Sequence, residues 1–260
     1  MPAGSPLKSW ILGAAVIAAL LACGLLLHRG GRPDAPPRPQ AARPVGGPPM
    51  KSHWLVTERA VQPSPALKEL QARYQAAPDD KTRTFNILAA AKLGEPAAVI
   101  WLAELAAREA RPGGTATRAL GQITNRDSNL ELGDVATSDG PAPVRVAAIV
   151  ALVATGDLAQ AAQLSALVAD GNQPFSVRQA AANTLGQMRR PGAVPALATV
   201  LEDAADGDAR EGQQLRIAAA QALGLIGTAE ARAALEAHAK GDLAAPERAA
   251  VEAALRLPPH

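Results

Sequence analysis

The sequence predicts an all-α protein, in which a solenoid of about six helix pairs follows a transmembrane helix and a proline-rich linker. Two observations predict this fold. A pattern that is clearest in residues 215–227 (LRIAAAQALGLIG) recurs along the chain at intervals of 30–38 residues. Aromatic residues make up only 2% of the 260 residues, whereas Ala, Leu and Val dominate. A sheet core normally contains more aromatic and β-branched side chains, and a stack of Ala/Leu helices does not.

The repeating pattern defines one reference position in each unit. The six reference residues are Ala90, Leu120, Leu152, Leu185, Leu223 and Leu255. An Arg stands seven residues before the reference position in five of the six units, as Arg83, Arg145, Arg178, Arg216 and Arg248. Periods of this length are typical of stacked supersecondary units that bury their apolar faces against one another. We therefore assign residues 66–258 to one array of repeats, called the repeat array below.

Each unit also contains a helical stretch before the one that carries the reference position. These first helices are predicted at 66–76, 96–110, 128–135, 157–169, 191–202 and 228–240. The insertion at 204–213 is predicted to be a polar, flexible loop, and Ala204 and Gln213 bound it. Phe85 and Trp101 are predicted to lie in the core of the first two units, and Phe175 to pack at a helix start. His238, in a helix beside Lys240, is predicted either to be solvated or to interact with the dipole at the C-terminus of that helix.

The predicted transmembrane anchor is residues 10–27, after a short flank at 1–9. Its eighteen residues, WILGAAVIAALLACGLLL, carry no charge. As a helix they extend about 27 Å, which is close to the thickness of the hydrocarbon core of a bilayer. The Leu-Leu-Ala-Cys sequence leaves a lipoprotein form anchored through Cys23 as an alternative, and a cleaved signal peptide as another.

A flexible linker is predicted at residues 28–65. Nine prolines lie between Gly30 and Pro65, and this density favours extended polyproline II over helix. The exception is residues 52–57 (SHWLVT), which we call the apolar patch and which could dock on the repeat array or on a partner.

Two opposed signals in the sequence indicate on which side of the membrane the repeat array lies. Arg29 and Arg32 after the anchor favour a cytoplasmic repeat array. A short N-terminal anchor before a large domain usually exports that domain. We expect a single-pass protein of a bacterial inner membrane with the array outside the cytoplasm, the cytoplasmic orientation being the alternative.

Charge and motif content favour a protein partner. Beyond residue 60 the chain holds 19 basic and 22 acidic residues, which argues against nucleic acid as the ligand. The sequence lacks GxSxG, GxxxxGK[ST] and HExxH. The four histidines are scattered, and a single Cys allows neither an intrachain disulfide nor a cysteine-based metal site. We therefore expect no enzymatic activity, no cofactor, no metal and no small-molecule substrate.

Four amide side chains are the candidate partner-binding residues. They recur on the second helix of the pairs, where side chains should be free: Gln122, Asn183, Gln187 and Gln221. An amide can hydrogen-bond the backbone of an extended protein segment without the desolvation cost of a charge. The alternative at this stage is a purely architectural array without a specific ligand.

In its repeated helix pairs the chain resembles HEAT repeats, in particular the short bacterial type first associated with phycobilisome lyases. The best matches are VRQAAANTLGQM–RRPGAVPALATVLED and LRIAAAQALGLIG–TAEARAALEAHAKGD, and the resemblance covers about residues 66–257. It implies an Asp–Arg ladder between neighbouring repeats. Arg83 shares the Arg register, and the implied pairs are Asp139 with Arg145, Asp170 with Arg178, Asp203 with Arg216 and Asp242 with Arg248. The resemblance also implies an alternative function, a lyase-type chromophore attachment factor or other enzyme.

Overall fold

The computed structural model describes residues 62–109, 114–123, 125–154, 158–202 and 209–259. The predicted anchor at 10–27, Cys23, the apolar patch and most of the predicted linker lie outside these residues. Among the helices that the structure describes, none combines the length and hydropathy needed to cross a bilayer.

Helices form all of the regular secondary structure in the described residues. They are Pro65–Gln75 (α1), Asp80–Leu93 (α2), Pro96–Arg108 (α3), Thr115–Leu120 (α4), Arg126–Thr137 (α5), Ala142–Ala151 (α6), Leu158–Ala169 (α7), Phe175–Gln187 (α8), Val194–Glu202 (α9), Ala209–Ile226 (α10), Ala229–His238 (α11) and Ala245–Leu255 (α12). Short 3₁₀ turns at Leu152–Ala154 and Pro191–Ala193 extend α6 and precede α9. The odd-numbered helices are the first helices of six pairs, and the even-numbered helices are the second.

Side-chain caps explain where several helices begin. Ser64, Asp79, Asn125 and Thr228 each accept a hydrogen bond from the backbone N–H three residues later, at 2.7–3.2 Å. Such caps satisfy donors that a helix start otherwise leaves free. The Thr82 N–H also lowers the pKa of the Asp79 carboxyl, because the bond favours the charged form. Helix α2 ends at Gly94, whose φ of 62° lies in the left-handed region that glycine adopts at low cost.

The helices pack in two layers. Successive second helices contact one another along the array, from α2 through α4, α6, α8 and α10 to α12. The first helices from α3 to α11 form the other layer in the same way. The reference residues Leu120, Leu152, Leu185 and Leu223 are at most 1% exposed and lie between the layers. The all-α solenoid predicted from the sequence is therefore confirmed for the described residues.

Small residues allow the second helices to approach closely. A Cβ atom built on Gly186 of α8 would lie 2.6 Å from the Cα of Ala222 in α10. A Cβ on Gly224 of α10 would lie 2.7 Å from the Cβ of Ala254 in α12. Both distances are shorter than those of real Cβ atoms, so only glycine allows the helices to cross as closely as they do here.

Two predictions from the sequence are wrong, one for Phe85 and one for part of the insertion at 204–213. Phe85 is 67% exposed and does not lie in the core. It projects from α2, the second helix of the first pair, whose buried side is formed by Asn86, Ile87, Ala90 and Ala91 instead. Residues 209–213 of the insertion are helical, since α10 begins at Ala209 and runs for eighteen residues. Ala, Arg, Glu and Gln favour helix there, and the one Gly is not enough to break it.

The other two aromatic residues for which the sequence predicts a position, Trp101 and Phe175, pack near the core. Trp101 is half-buried and contacts Tyr74 edge-to-face, with ring centroids 5.5 Å apart. Phe175 is the first residue of α8 and packs half-buried against the main core. Trp101 therefore packs against the core of the first units and is not fully buried within it.

Candidate protein-binding surface

The four candidate amide residues are all exposed, but they do not form one group. Asn183 and Gln187 lie one turn apart on α8, and Gln221 lies on the adjacent helix α10. Gln122 follows α4 and is separated from α8 by α6. We call Asn183, Gln187 and Gln221 the amide surface. Within the described part of the chain, these three side chains make no hydrogen bond to another protein group.

Apolar side chains flank Gln221 on the same side of α10. Ile217 and Leu225 lie one turn before and one turn after it, and both are half-buried. The amides stand two residues before or after a reference position, and in the third unit these two positions carry Val150 in α6 and Ala154 in the 3₁₀ turn that follows it. These apolar residues interrupt the polar register between Gln122 and the amide surface. The surface around α8 and α10 thus offers hydrogen-bonding amides beside partly accessible apolar area.

A buried arginine joins the third and fourth units. Arg145 is 5% exposed and donates from Nε to the Ala136 carbonyl at 3.2 Å and from Nη2 to Gln173 Oε1 at 2.7 Å. Gln173 in turn donates from Nε2 to Asp170 Oδ2 at 2.7 Å. Sequence reasoning missed Gln173, because an amide in a turn carries no periodic signal.

The charges of this network perturb one another. Burial lowers the pKa of the Arg145 guanidinium, and the nearby carboxylates of Asp139 and Asp170 act in the opposite direction. Hydrogen bonds from the Gln173 side chain and the Asn172 N–H lower the pKa of Asp170, and the Arg178 charge adds to this. The lowered pKa keeps the Asp170 carboxylate ionised near neutral pH, and a guanidinium is not deprotonated in proteins, so the network is structural in character.

The other predicted ladder residues have varied surroundings. Arg178 is 4% exposed and donates from Nε to the Val168 carbonyl at 3.0 Å, which ties α8 to the end of α7. Arg83 contacts Asp80 in its own helix at 3.0 Å, and Arg248 donates to the Leu243 carbonyl at 3.4 Å. Asp139 and Asp242 are exposed. Asp203 lies outside the described residues, so the complete Asp–Arg ladder stays a prediction.

A second buried charge cluster joins the last two units. Glu247 of α12 is 3% exposed, and its Oε1 lies 2.9 Å from Arg216 Nε and 2.8 Å from His238 Nε2. Of the two alternatives for His238, the solvated one is wrong, because the side chain is only 13% exposed, and the position at a helix C-terminus is confirmed, because His238 is the last residue of α11. A signal in the sequence marks this carboxylate. Eight residues before the reference position, Glu247 stands where three other units have the buried apolar residues Val144, Val177 and Leu215.

Three features of the described residues bear on a possible reactive site. No three His, Cys, Asp or Glu side chains within them are close enough together to hold a metal ion. A cleft of about 220 Å³, part of it open solvent, lies between the ends of α10 and α12 and is lined mainly by apolar side chains such as Leu223, Leu235 and Leu255. Burial, with repulsion from Asp134, raises the pKa of the Glu131 carboxyl on α5. A single perturbed carboxylate is not a reactive site.

Comparisons with known proteins identify a repeat family in the second half of the chain. The family model described as HEAT repeats matches residues 131–215 and again residues 172–256. No curated protein sequence matches the chain significantly. Among solved structures, human deoxyhypusine hydroxylase in complex with glycerol is 19% identical, and the alignment covers 74% of this chain and 96% of that one. Its TM-score of 0.29 is too low to carry an argument about fold or activity. Residues 131–256 are therefore HEAT repeats, and the helix pairs before them stack in the same two layers.

Proposed function

We propose that the protein is a non-catalytic, membrane-tethered scaffold that holds another protein on the amide surface. The observation that carries this proposal is the position of Asn183, Gln187 and Gln221, exposed on adjacent helices and without protein partners among the described residues. The half-buried Ile217 and Leu225 beside them supply apolar area. The amide surface belongs to the part of the chain that matches HEAT repeats, and solenoids use such extended surfaces for binding.

The spacing of the amides suits an extended protein segment. Asn183 and Gln187 are one helical turn apart, a rise of about 6 Å. Side chains on one face of an extended strand repeat at about 6.7 Å, so alternate backbone groups of a bound segment can meet successive amides. Amides both donate and accept, which suits a peptide backbone. Nucleic acid would require a basic surface that these residues do not provide.

Replacing Asn183, Gln187 and Gln221 together by Ala should weaken capture of the partner at least tenfold, if each lost hydrogen bond contributes about 1 kcal/mol. The three side chains are exposed, so the melting temperature should stay unchanged. The partner is first identified with a photo-crosslinking residue at position 187 or 221 in intact cells, and its affinity for the purified full chain is then measured. The same protein should be captured from both positions.

A matched control uses the other layer. Gln163 on α7 and Thr199 on α9 are exposed polar residues of first helices. Their joint replacement by Ala should leave the affinity unchanged, and a crosslinker at position 163 should not capture the partner. Equal loss of affinity in both variants would refute the amide surface as the binding site.

The proposed tether is the uncharged segment at residues 10–27, with the linker at 28–65 carrying the array away from the bilayer. We expect a protease added to intact spheroplasts to digest the repeat array before lysis, with lysed cells as the control. Protection until lysis would instead mean that Arg29 and Arg32 set the topology and that the array and its partner are cytoplasmic. Release of the full-length chain into the soluble fraction would contradict the tether itself.

A further inference from the structure

One side of each second helix packs against the preceding unit. Three inner units, with the reference residues Leu152, Leu185 and Leu223, show this packing. In each of them, the residues five before and one before the reference position are at most 8% exposed. These residues are Ala147, Ala151, Ala180, Thr184, Ala218 and Ala222. Two contacts show that these residues face the preceding unit. Thr184 Oγ1 donates to the Ile149 carbonyl of the preceding helix α6 at 3.3 Å. Ala222 lies against Gly186 of the preceding helix α8.

The first unit presents the same side without a preceding unit among the described residues. The equivalent positions on α2 are Phe85 and Ala89, and Leu93 continues the row one turn later. We call these three residues the terminal stripe. Phe85 is 67% exposed and Leu93 is 42% exposed, and Ala89 is half-buried. The side that inner units bury through Ala and Thr therefore carries a large aromatic side chain in the first unit, and that side chain is open to solvent.

We propose that the apolar patch, residues 52–57, covers the terminal stripe and caps the repeat array. Arrays of this kind need a distinct element at each end, because the end units otherwise expose the face that their neighbours would bury. Trp54, Leu55 and Val56 are three consecutive apolar residues in an otherwise Pro-, Gly- and Arg-rich segment. Burial of a Trp and a Phe against each other removes a large apolar area from water, and this stabilises such a contact.

The entry point of the chain places the apolar patch within reach. Ser64, which caps α1, donates from Oγ to Glu95 Oε1 at 3.0 Å. The chain therefore enters the array beside the turn after Leu93, at one end of the terminal stripe. Thr57 is seven residues before Ser64, and seven extended residues span up to about 23 Å. Phe85 is eight residues from Leu93 along α2, about 12 Å. The segment can thus cover the whole stripe without strain.

The test uses the full chain in phospholipid nanodiscs, with p-benzoylphenylalanine in place of Phe85. This residue keeps an aromatic ring at the stripe and crosslinks on illumination. Trypsin cleaves after Lys51 and Arg59, so the apolar patch is released as the peptide SHWLVTER. The matched control places the same residue at Lys92, which is exposed on α2 closer to the entry point but outside the stripe. A second variant carries Trp54→Ala.

We expect an intramolecular crosslink from position 85 to SHWLVTER, with a yield about tenfold above that from position 92. The reason is that the effective concentration of a docked segment at its site exceeds the millimolar effective concentration of a free tether. Trp54→Ala should remove this excess and speed hydrogen exchange in α2 about tenfold, without changing exchange in α8. A yield from position 92 equal to or above that from position 85 would overturn the proposal, because a free tether reaches position 92, the nearer site, at least as often. A crosslink from position 85 to a second copy of the chain or to lipid would also overturn it, and would identify a different occupant.

Discussion

Replacing Gly186 by Ala lowers the free energy of unfolding of the array by about 1–2 kcal/mol. The new methyl group would lie 2.6 Å from the Cα and 2.8 Å from the Cβ of Ala222, so α8 and α10 must move apart. Overpacking of a tight core costs about 1–3 kcal/mol, and the better helix propensity of Ala returns up to about 1 kcal/mol. The clash involves backbone atoms, so no side-chain rotation relieves it. Gly186→Val should cost more, since it adds two methyl groups and no comparable gain in propensity.

Urea unfolding followed by circular dichroism measures this loss. Gly192→Ala is the matched control, because a Cβ there meets nothing within 4 Å and the residue lies in a 3₁₀ turn at the surface. Ala222→Gly should partly rescue Gly186→Ala, since it removes one of the two opposing atoms. A Gly186→Ala protein as stable as the Gly192→Ala control would show that α8 and α10 are not in close contact.

Replacing Glu247 by Ala weakens the packing of the last unit, α11 and α12, on the unit before it. The substitution removes the acceptor that both Arg216 Nε and His238 Nε2 contact, in a position where the carboxylate is only 4% exposed. Breaking a buried ion pair costs about 3–5 kcal/mol, and we expect about 3 kcal/mol here because Arg216 keeps some contact with solvent. Glu247→Gln keeps an acceptor oxygen and loses the charge, so its effect should be smaller.

Hydrogen exchange resolves where this loss occurs. In a linear array each unit contacts only its neighbours, so protection should fall in α11 and α12 and stay unchanged in α5 and α6. Glu252→Ala is the matched control, because Glu252 is exposed on the same helix and pairs with Arg256 at the surface. If Glu247→Ala and Glu252→Ala lose protection equally, the buried cluster does not hold the last two units together.

The fold class and the register of the repeats could be predicted from the sequence, because both depend on local periodicity. Each unit repeats the same apolar spacing, so burial of Leu152, Leu185 and Leu223 follows from the pattern alone. Helix starts at Ser64, Asp79 and Thr228 depend on side-chain caps that lie within three residues of the helix. Exposure of the amides on second helices follows from the same periodicity. These features involve neighbours in sequence or in one helix.

Contacts between units were decided by the tertiary structure. The register predicts that Phe85 lies on a packing side of α2, and only the end position of α2 in the array leaves that side open. The same register places Glu247 at an apolar position, and its partners come from two other helices, through Arg216 and His238. The grouping of Gln221 with Asn183, and the separation of Gln122 from both, depend on which helices are adjacent.

Periodicity in the sequence by itself determined that this protein is a stack of helix pairs and which positions face inward, since burial within a repeat is a property of its own spacing. The tertiary structure decided which inward-facing positions find a neighbour, because that depends on the order of the units and on close approaches such as Gly186 against Ala222. The sequence pattern determines which residues of each repeat face inward, and only the assembled array determines which residues of neighbouring repeats pack against them.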